Sequence, residues 1–280
     1  MRLETWALLI SFAIAVILGI IIIPILKRLK VGQIERDDGP KSHLKKQGTP
    51  TMGGIIMIIA MILVVTGLYI FLSINGQNDV ANKILPILLL TLGFGLIGFI
   101  DDFKKLVLKN TDGLKPMYKM LGLLIISVAY VLYLVYELHL GTKTYIPIWN
   151  NYIELPIYLY IPFAIIVILG TTNAVNLTDG IDGLASSVSA IIITALSIVG
   201  IKLNVPEISV FGSSVIGAVL GFLMFNLHPA KVFMGDTGSL LLGRSYFSNG
   251  FIFKNANIVN SNSSCTSIGN FICNYSSCIL

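Results

Sequence analysis

Charged side chains are scarce in this chain. Its 280 residues hold 19 Lys or Arg and 14 Asp or Glu, 12% in all, where soluble domains carry about 25%. Hydrophobic residues make up 55%, and the mean hydropathy is +0.85. A soluble fold needs a polar surface and cannot absorb that much apolar sequence. The composition defines an integral membrane protein with several spans.

Other absences narrow the reading. Cysteine is missing until Cys265, and Cys273 and Cys278 complete the set, so the body has no disulfide framework. That spacing is not a zinc spacing, and the three histidines, His43, His139 and His228, are scattered. No Gly-rich loop runs into Lys-Ser/Thr, so there is no Walker site. The first apolar run lacks a small-residue cleavage site and is followed by more spans, which argues against a secreted domain. There is no convincing internal repeat. The net charge of +5 could suggest a nucleic-acid partner, but the bases fall in short loops between apolar runs, the pattern of membrane orientation.

Seven apolar stretches are present, roughly Trp6–Leu26, Met52–Ile74, Ile84–Ile100, Met120–Tyr136, Leu155–Gly170, Leu184–Gly200 and Val210–Phe225. Each approaches the roughly 20 residues a helix needs to cross hydrocarbon. Backbone groups in lipid must bond internally, so these stretches are expected to be helices. Trp6, Tyr136, Trp149, Tyr158 and Tyr160 lie where interfacial anchors belong. None of the stretches carries a charge at its middle, as an ion-conducting channel or transporter would. The loop Lys27–Thr51 holds seven bases and Asp101–Lys119 five. With Lys231, that side has thirteen against four (Arg2, Lys83, Lys143, Lys202). The positive-inside rule makes the basic side cytoplasmic and the N-terminus external.

Among the carboxylates that then fall on the cytoplasmic face, five stand in polar motifs that follow apolar runs: Asp101, Asp102, Asp179, Asp182 and Asp236. Adjacent carboxylates at the end of an apolar helix repel and resist desolvation. They either mark a solvated helix end or form a metal or acid–base site. Lys104 and Lys105 follow at once, and Lys105 shares a helix face with Asp101 if the helix continues. In Asn173-Ala-Val-Asn176-Leu-Thr-Asp179-Gly-Ile-Asp182-Gly183, polar groups recur every three residues beside glycines. Helix capping explains one Asp; amides and carboxylates together suit a nucleotide and a hard cation. Met234-Gly-Asp236-Thr-Gly-Ser239 is a compact carboxylate–hydroxyl–glycine turn, a candidate Mg²⁺ ligand set beside the other acidic loops. Gly53-Gly54 at a span entrance permits close packing or, with Lys45 and Lys46 just before, contacts an anion.

Taken together, His43-Leu-Lys-Lys-Gln-Gly-Thr-Pro-Thr-Met-Gly-Gly54, Asp101-Asp-Phe-Lys-Lys105, Asn173–Leu184 and Phe225–Leu240 resemble the polyprenyl-phosphate N-acetylhexosamine-1-phosphate transferase superfamily. The first and last of these stretches favour its phospho-N-acetylmuramoyl-pentapeptide branch. The resemblance covers about residues 1–243 and implies an all-α polytopic membrane protein. Its implied activity is Mg²⁺-dependent transfer from UDP-N-acetylmuramoyl-pentapeptide to undecaprenyl phosphate at the cytoplasmic face of the bacterial cell membrane, giving lipid I and UMP. It implies Asp101, Asp102 and Asp236 as catalytic residues, with Mg²⁺ on Asp236 and Asp179. It places Lys46, Lys105 and Lys119 on phosphates, with Asn173 and Asn176 also at the substrate. Asp182, Asn226 and Phe233 match a nucleoside pocket. The expected partners are the two substrates, the bilayer and a second copy in a homodimer, with no nucleic acid.

The family has ten spans, and the likeness stops after Gly243. Arg244-Ser-Tyr-Phe-Ser-Asn249 replaces the small apolar residues expected there. No later run reaches a span, and a Pro-Ile-His-His-His-Phe stretch is absent. Residues 1–243 are therefore expected to form the transferase domain, and 244–280 a frameshifted or truncated family C-terminus, leaving little or no activity. The competing readings are an N-acetylglucosamine-1-phosphate transferase acting on the same lipid, and an inactive remnant.

Overall fold

The computed structural model describes residues 2–29, 48–106, 108, 113–137, 142–146 and 151–252. Eight α-helices lie among them: α1 (Leu3–Arg28), α2 (Gly54–Ile74), α3 (Asn78–Leu106), α4 (Pro116–Leu132), α5 (Ile157–Thr178), α6 (Leu184–Lys202), α7 (Pro206–Asn226) and α8 (Gly235–Ile252). The first seven are long and apolar enough to cross a bilayer, α4 being extended by a π-helical turn, Tyr133–Glu137. The all-α polytopic architecture is as the composition predicts, with each apolar stretch on its own helix.

Two elements differ from the sequence expectation. A short antiparallel hairpin, β1 (Lys143–Ile146) and β2 (Asn151–Glu154), lies between α4 and α5, with Lys143 opposite Glu154. Four-residue strands are too short to register against the apolar runs on either side. The other is α8, which no apolar stretch marked and which starts within the stretch expected to be a turn. Residues 253–280, with all three cysteines, lie outside the described residues, as does Trp149.

α7 is the central helix. Of its membrane-length window, 78% is buried, against 22% for α1. Lipid offers no hydrophobic gain for bringing helices together, so close backbone approach through small residues must supply the attraction. α7 supplies them. A Cβ on Gly217 would lie 2.3 Å from the Leu8 carbonyl oxygen, and one on Gly221 2.6 Å from the Ala15 Cβ. Between them, the Ser11 hydroxyl of α1 donates to the Ser214 carbonyl of α7 at 2.6 Å. Hydroxyls elsewhere in the bundle donate to carbonyls four residues back, as Thr91, Ser127 and Thr172 do. No hydroxyl of that group is left unbonded in hydrocarbon.

α8 packs chiefly on α3 and α5. A second core cluster, with Phe94, Leu123, Tyr130, Tyr160 and Leu240, surrounds its middle. Arg244 is fully buried there, its guanidinium 3.7 Å from the Tyr130 ring centroid and 5.7 Å from that of Phe94. Desolvated cation–π pairs are worth about 2 kcal/mol. A double-mutant cycle of Tyr130→Leu with Arg244→Met, read by unfolding in detergent, should return a coupling of about that size. A coupling near zero would remove the ring from the account of how this charge is held.

The bundle has two polar ends. At one, Lys83 of α3 pairs with Glu207 of α7 at 3.2 Å, and the Ser209 hydroxyl donates to Glu4 of α1 at 3.1 Å. At the other, α3, α5 and α7 end and α2, α4, α6 and α8 begin. Every described carboxylate of the three acidic motifs is at this second end.

Candidate active site

The site is assembled around the first turn of α8. That turn fits only because glycines let three backbones meet. A Cβ on Gly54 of α2 would lie 2.3 Å from the Gly238 nitrogen, and one on Gly98 of α3 would lie 2.1 Å from the Asp236 carbonyl oxygen. Gly235 has φ +72, a region L side chains rarely enter, and a Cβ there would approach Asp102 Oδ2 to 2.6 Å. A backbone clasp fixes the approach: the Phe233 N–H donates to the Pro50 carbonyl at 2.8 Å, Gly53 to Phe233 at 2.8 Å and Gly54 to Met234 at 3.0 Å. Of the two roles open to Gly53-Gly54, the described contacts are those of packing.

α3 continues past Ile100 to Leu106, so Asp101 and Lys105 do share a helix face. Their side chains pair at 2.8 Å. Asp101 is 1% exposed. Its Oδ1 accepts the Leu114 N–H at 2.7 Å, which leaves Oδ2 to Lys105 and, at 3.4 Å, to Lys119 of α4. Asp236 Oδ2 meets the same two ammonium groups, Lys119 at 2.8 Å and Lys105 at 3.0 Å. Its Oδ1 accepts from the Asn176 amide at 2.7 Å, and that amide also donates to the Ser239 hydroxyl. Burial works to raise the Asp236 carboxyl. The ammonium groups of Lys119 and Lys105 outweigh it and hold the group well below the ordinary carboxylate range.

Asp102 faces the other way. Its Oδ2 accepts the Thr237 hydroxyl at 2.6 Å and the Thr237 N–H at 2.9 Å, and its Oδ1 accepts the Asp236 N–H at 3.2 Å.

The remaining sequence-predicted residues spread over the same end. α5 runs to Thr178, two turns beyond the predicted span, so Asn173 and Asn176 are helical, not in a turn. Asn176 joins the cluster; Asn173 contacts the Met120 sulfur at 3.9 Å. Asp179 caps the end of α5, its N–H 3.4 Å from the Asn176 carbonyl. Asp182 Oδ2 meets His228 Nδ1 at 3.0 Å and the Ala230 N–H at 3.3 Å. Asn226 is buried, accepting from Ser186 at 2.8 Å and donating to the Val232 carbonyl at 3.0 Å, so it staples the 227–232 loop. Phe233 is half-buried within the clasp. Lys46 lies outside the described residues. Thr237, Ser239, His228 and Ser186 join the site without having been singled out. The signal for Thr237 and Ser239 was inside Met-Gly-Asp-Thr-Gly-Ser, which read as a turn but starts a helix.

Among the described residues, no group of three or more His, Cys, Asp or Glu is arranged to hold a metal. Mg²⁺ does not require one. It is usually held by one or two carboxylates together with water and substrate phosphate. Asp101 and Asp236, two hard oxygen donors held side by side by Lys105 and Lys119, supply the carboxylates that habit calls for.

At this end of the bundle two buried carboxylates, Asp101 and Asp236, are bridged by the ammonium groups of Lys105 and Lys119. The sequence profile of glycosyl transferase family 4 matches residues 84–251, more than half of the chain. The chain belongs to that family. It is 47% identical over 236 residues to a phospho-N-acetylmuramoyl-pentapeptide-transferase of Halalkalibacterium halodurans, covering 84% of this chain and 70% of that one. Enzymes of the same name from Caldicellulosiruptor bescii (45%, covering 89% and 74%) and Clostridium botulinum (46%, covering 89% and 73%) are similar over 248 residues.

Proposed function

We propose that this chain transfers phospho-N-acetylmuramoyl-pentapeptide from its UDP-activated form to undecaprenyl phosphate at the cytoplasmic face of the bacterial cell membrane. The observation that carries the reading is the convergence of Asp101, Asp236, Lys105 and Lys119 within hydrogen-bonding distance at one end of the bundle. The similarity to transferases of that name supports the choice of substrate.

An oxygen of the lipid phosphate attacks the β-phosphorus of the sugar nucleotide. The bond from that phosphorus to the bridging oxygen breaks, and UMP leaves with the bridging electrons. Mg²⁺, when bound, neutralises charge on the phosphate oxygens. The chain's own residues do the rest. Asp236, with Asp101 beside it, would hold that ion through Oδ2 where it faces the reacting phosphates. Asp101, fixed through Oδ1, is placed to take the lipid phosphate's proton. Lys105 and Lys119 bind the diphosphate oxygens and stabilise charge as the bond breaks. Asn176 holds the Asp236 carboxylate in orientation. Asp179 is a further candidate metal contact at the end of α5. Asp182, Asn226 and Phe233 define the nucleoside side, Asn173 extends the substrate surface along α5, and Lys46 adds a phosphate contact.

The test is UMP release by the purified full chain with Mg²⁺ and undecaprenyl phosphate. Release with UDP-N-acetylmuramoyl-pentapeptide, none with UDP-N-acetylglucosamine, and none without the lipid is the expected pattern. The reverse sugar preference would move the chain to the N-acetylglucosamine branch. Silence with both, beside intact Mn²⁺ binding, is the outcome expected if the departure from the family after Gly243 disables the chain, and it would mark an inactive remnant.

A further inference from the structure

Asp102 has its polar contacts in one place. It is 5% exposed, and it accepts from the hydroxyl and N–H of Thr237 and the N–H of Asp236. A helix leaves its first N–H groups without internal partners, and a capping side chain normally comes from the residue just before. Here the preceding residue is Met234, whose side chain has no oxygen to accept with. The cap comes instead from α3, 134 residues earlier in the chain. Asp102 thus does for α8 what an N-cap aspartate does locally, and its negative charge also suits the positive end of the helix.

Thr237 completes the arrangement. It is fully buried, and its hydroxyl makes the shortest of the three bonds to Asp102. The neighbouring Asp236 side chain points to the opposite side, toward Asn176, Lys105 and Lys119. A rotation of the first turn of α8 that loosened Thr237 from Asp102 would swing the Asp236 carboxylate out of register with Asp101.

We propose that Thr237 and Asp102 form a positioning pair that sets where Asp236 presents its carboxylate, so that Asp102 acts through α8 and does not touch the reacting phosphates. The inference rests on the reading of Asp236 as the cation-holding carboxylate. It adds Thr237 to the residues on which that reaction depends.

The experiment measures Mn²⁺ affinity of the purified full chain by electron paramagnetic resonance, beside UMP release. Outer-shell residues that orient a ligand typically contribute about 10- to 100-fold in metal affinity or activity. Thr237→Val, which keeps the shape and removes the hydroxyl, should weaken Mn²⁺ binding by about that factor. Thr237→Ser, which restores the donor, should bind Mn²⁺ like the parent. Asp102→Asn should weaken binding in the same direction, and the double variant Asp102→Asn/Thr237→Val should lose no more than the weaker of the two. A Thr237→Val chain that binds Mn²⁺ like the parent overturns the inference, as does a double variant whose losses multiply. If Thr237→Val does not fold, the Asp102→Asn and Thr237→Ser arms still decide: parental Mn²⁺ affinity in Asp102→Asn sinks the pair. Asp236→Asn is the reference. Unchanged Mn²⁺ binding there would overturn the reading of Asp236 itself, separately from the behaviour of Thr237.

Discussion

Replacing Asp236 by Asn should lower UMP release by about a hundredfold or more, the scale seen when a preorganised electrostatic group is removed from a reaction centre. Three features make the effect large. Oδ2 of Asp236 is the one described oxygen besides Asp101 Oδ2 that meets both Lys105 and Lys119. An amide in its place carries no charge to gather a cation, and its NH₂ group turned toward two ammonium groups repels them. Asn176 would also face a partner that no longer reliably accepts on both sides. The loss should appear in kcat at saturating sugar nucleotide, since the side chain is placed at the reacting phosphates and not on the nucleoside side. An Asp236→Asn chain with parental kcat and a raised KM would move Asp236 from the reaction centre to ground-state binding.

The second large effect is steric. Gly98→Ala should destabilise the bundle by about 1–3 kcal/mol, the usual cost of overpacking, and UMP release should fall with it. The new methyl would stand 2.1 Å from the Asp236 carbonyl oxygen, 2.5 Å from its carbonyl carbon and 2.8 Å from the Thr237 nitrogen. All three are backbone atoms, so no side chain can rotate aside. Either α3 or the first turn of α8 must retreat, and Asp101 and Asp236 separate. Gly67 of α2 is the control, because a Cβ there meets nothing within 4 Å. Gly67→Ala should be neutral, or stabilising by up to about 1 kcal/mol from helix propensity. Equal effects at the two positions would show that the approach of α3 to α8 is not what Gly98 protects.

The spans were legible because the bilayer imposes one rule on every stretch: enough apolar residues to cross, with no charge at the middle. Helix ends were harder to place. Asn173 and Asn176 read as a turn because their polarity breaks the apolar run, yet the helix continues through both, and the Asn176 amide finds partners at the site. The same blindness hid the start of α8 at Gly235. The acidic residues were visible one motif at a time, and their meeting was inferred from topology. What no pattern could reveal was division of labour within the Asp101-Asp102 pair. Successive residues on a helix point about 100° apart, so one carboxylate faces the lysines and the other faces α8. Asn226 offers the same lesson: an amide matched to the nucleoside side is engaged by Ser186 and Val232. The hydroxyl of Ser186 carried no sequence signal at all.

The clasp between the beginning of α2 and the beginning of α8, and the bonds from Asp102 to Thr237 across 135 residues, have a consequence for synthesis. A ribosome adding about 5–20 residues per second needs roughly 7 to 27 s to go from one partner to the other. Through that interval the paired aspartates of α3 wait at the membrane edge before their helix partner has been made. Lys105 is already beside Asp101, and Lys119 follows within a few seconds, so the nascent chain carries its own counter-charges. The centre is completed last, by insertion of one helix into a slot that the earlier ones have left lined with glycine.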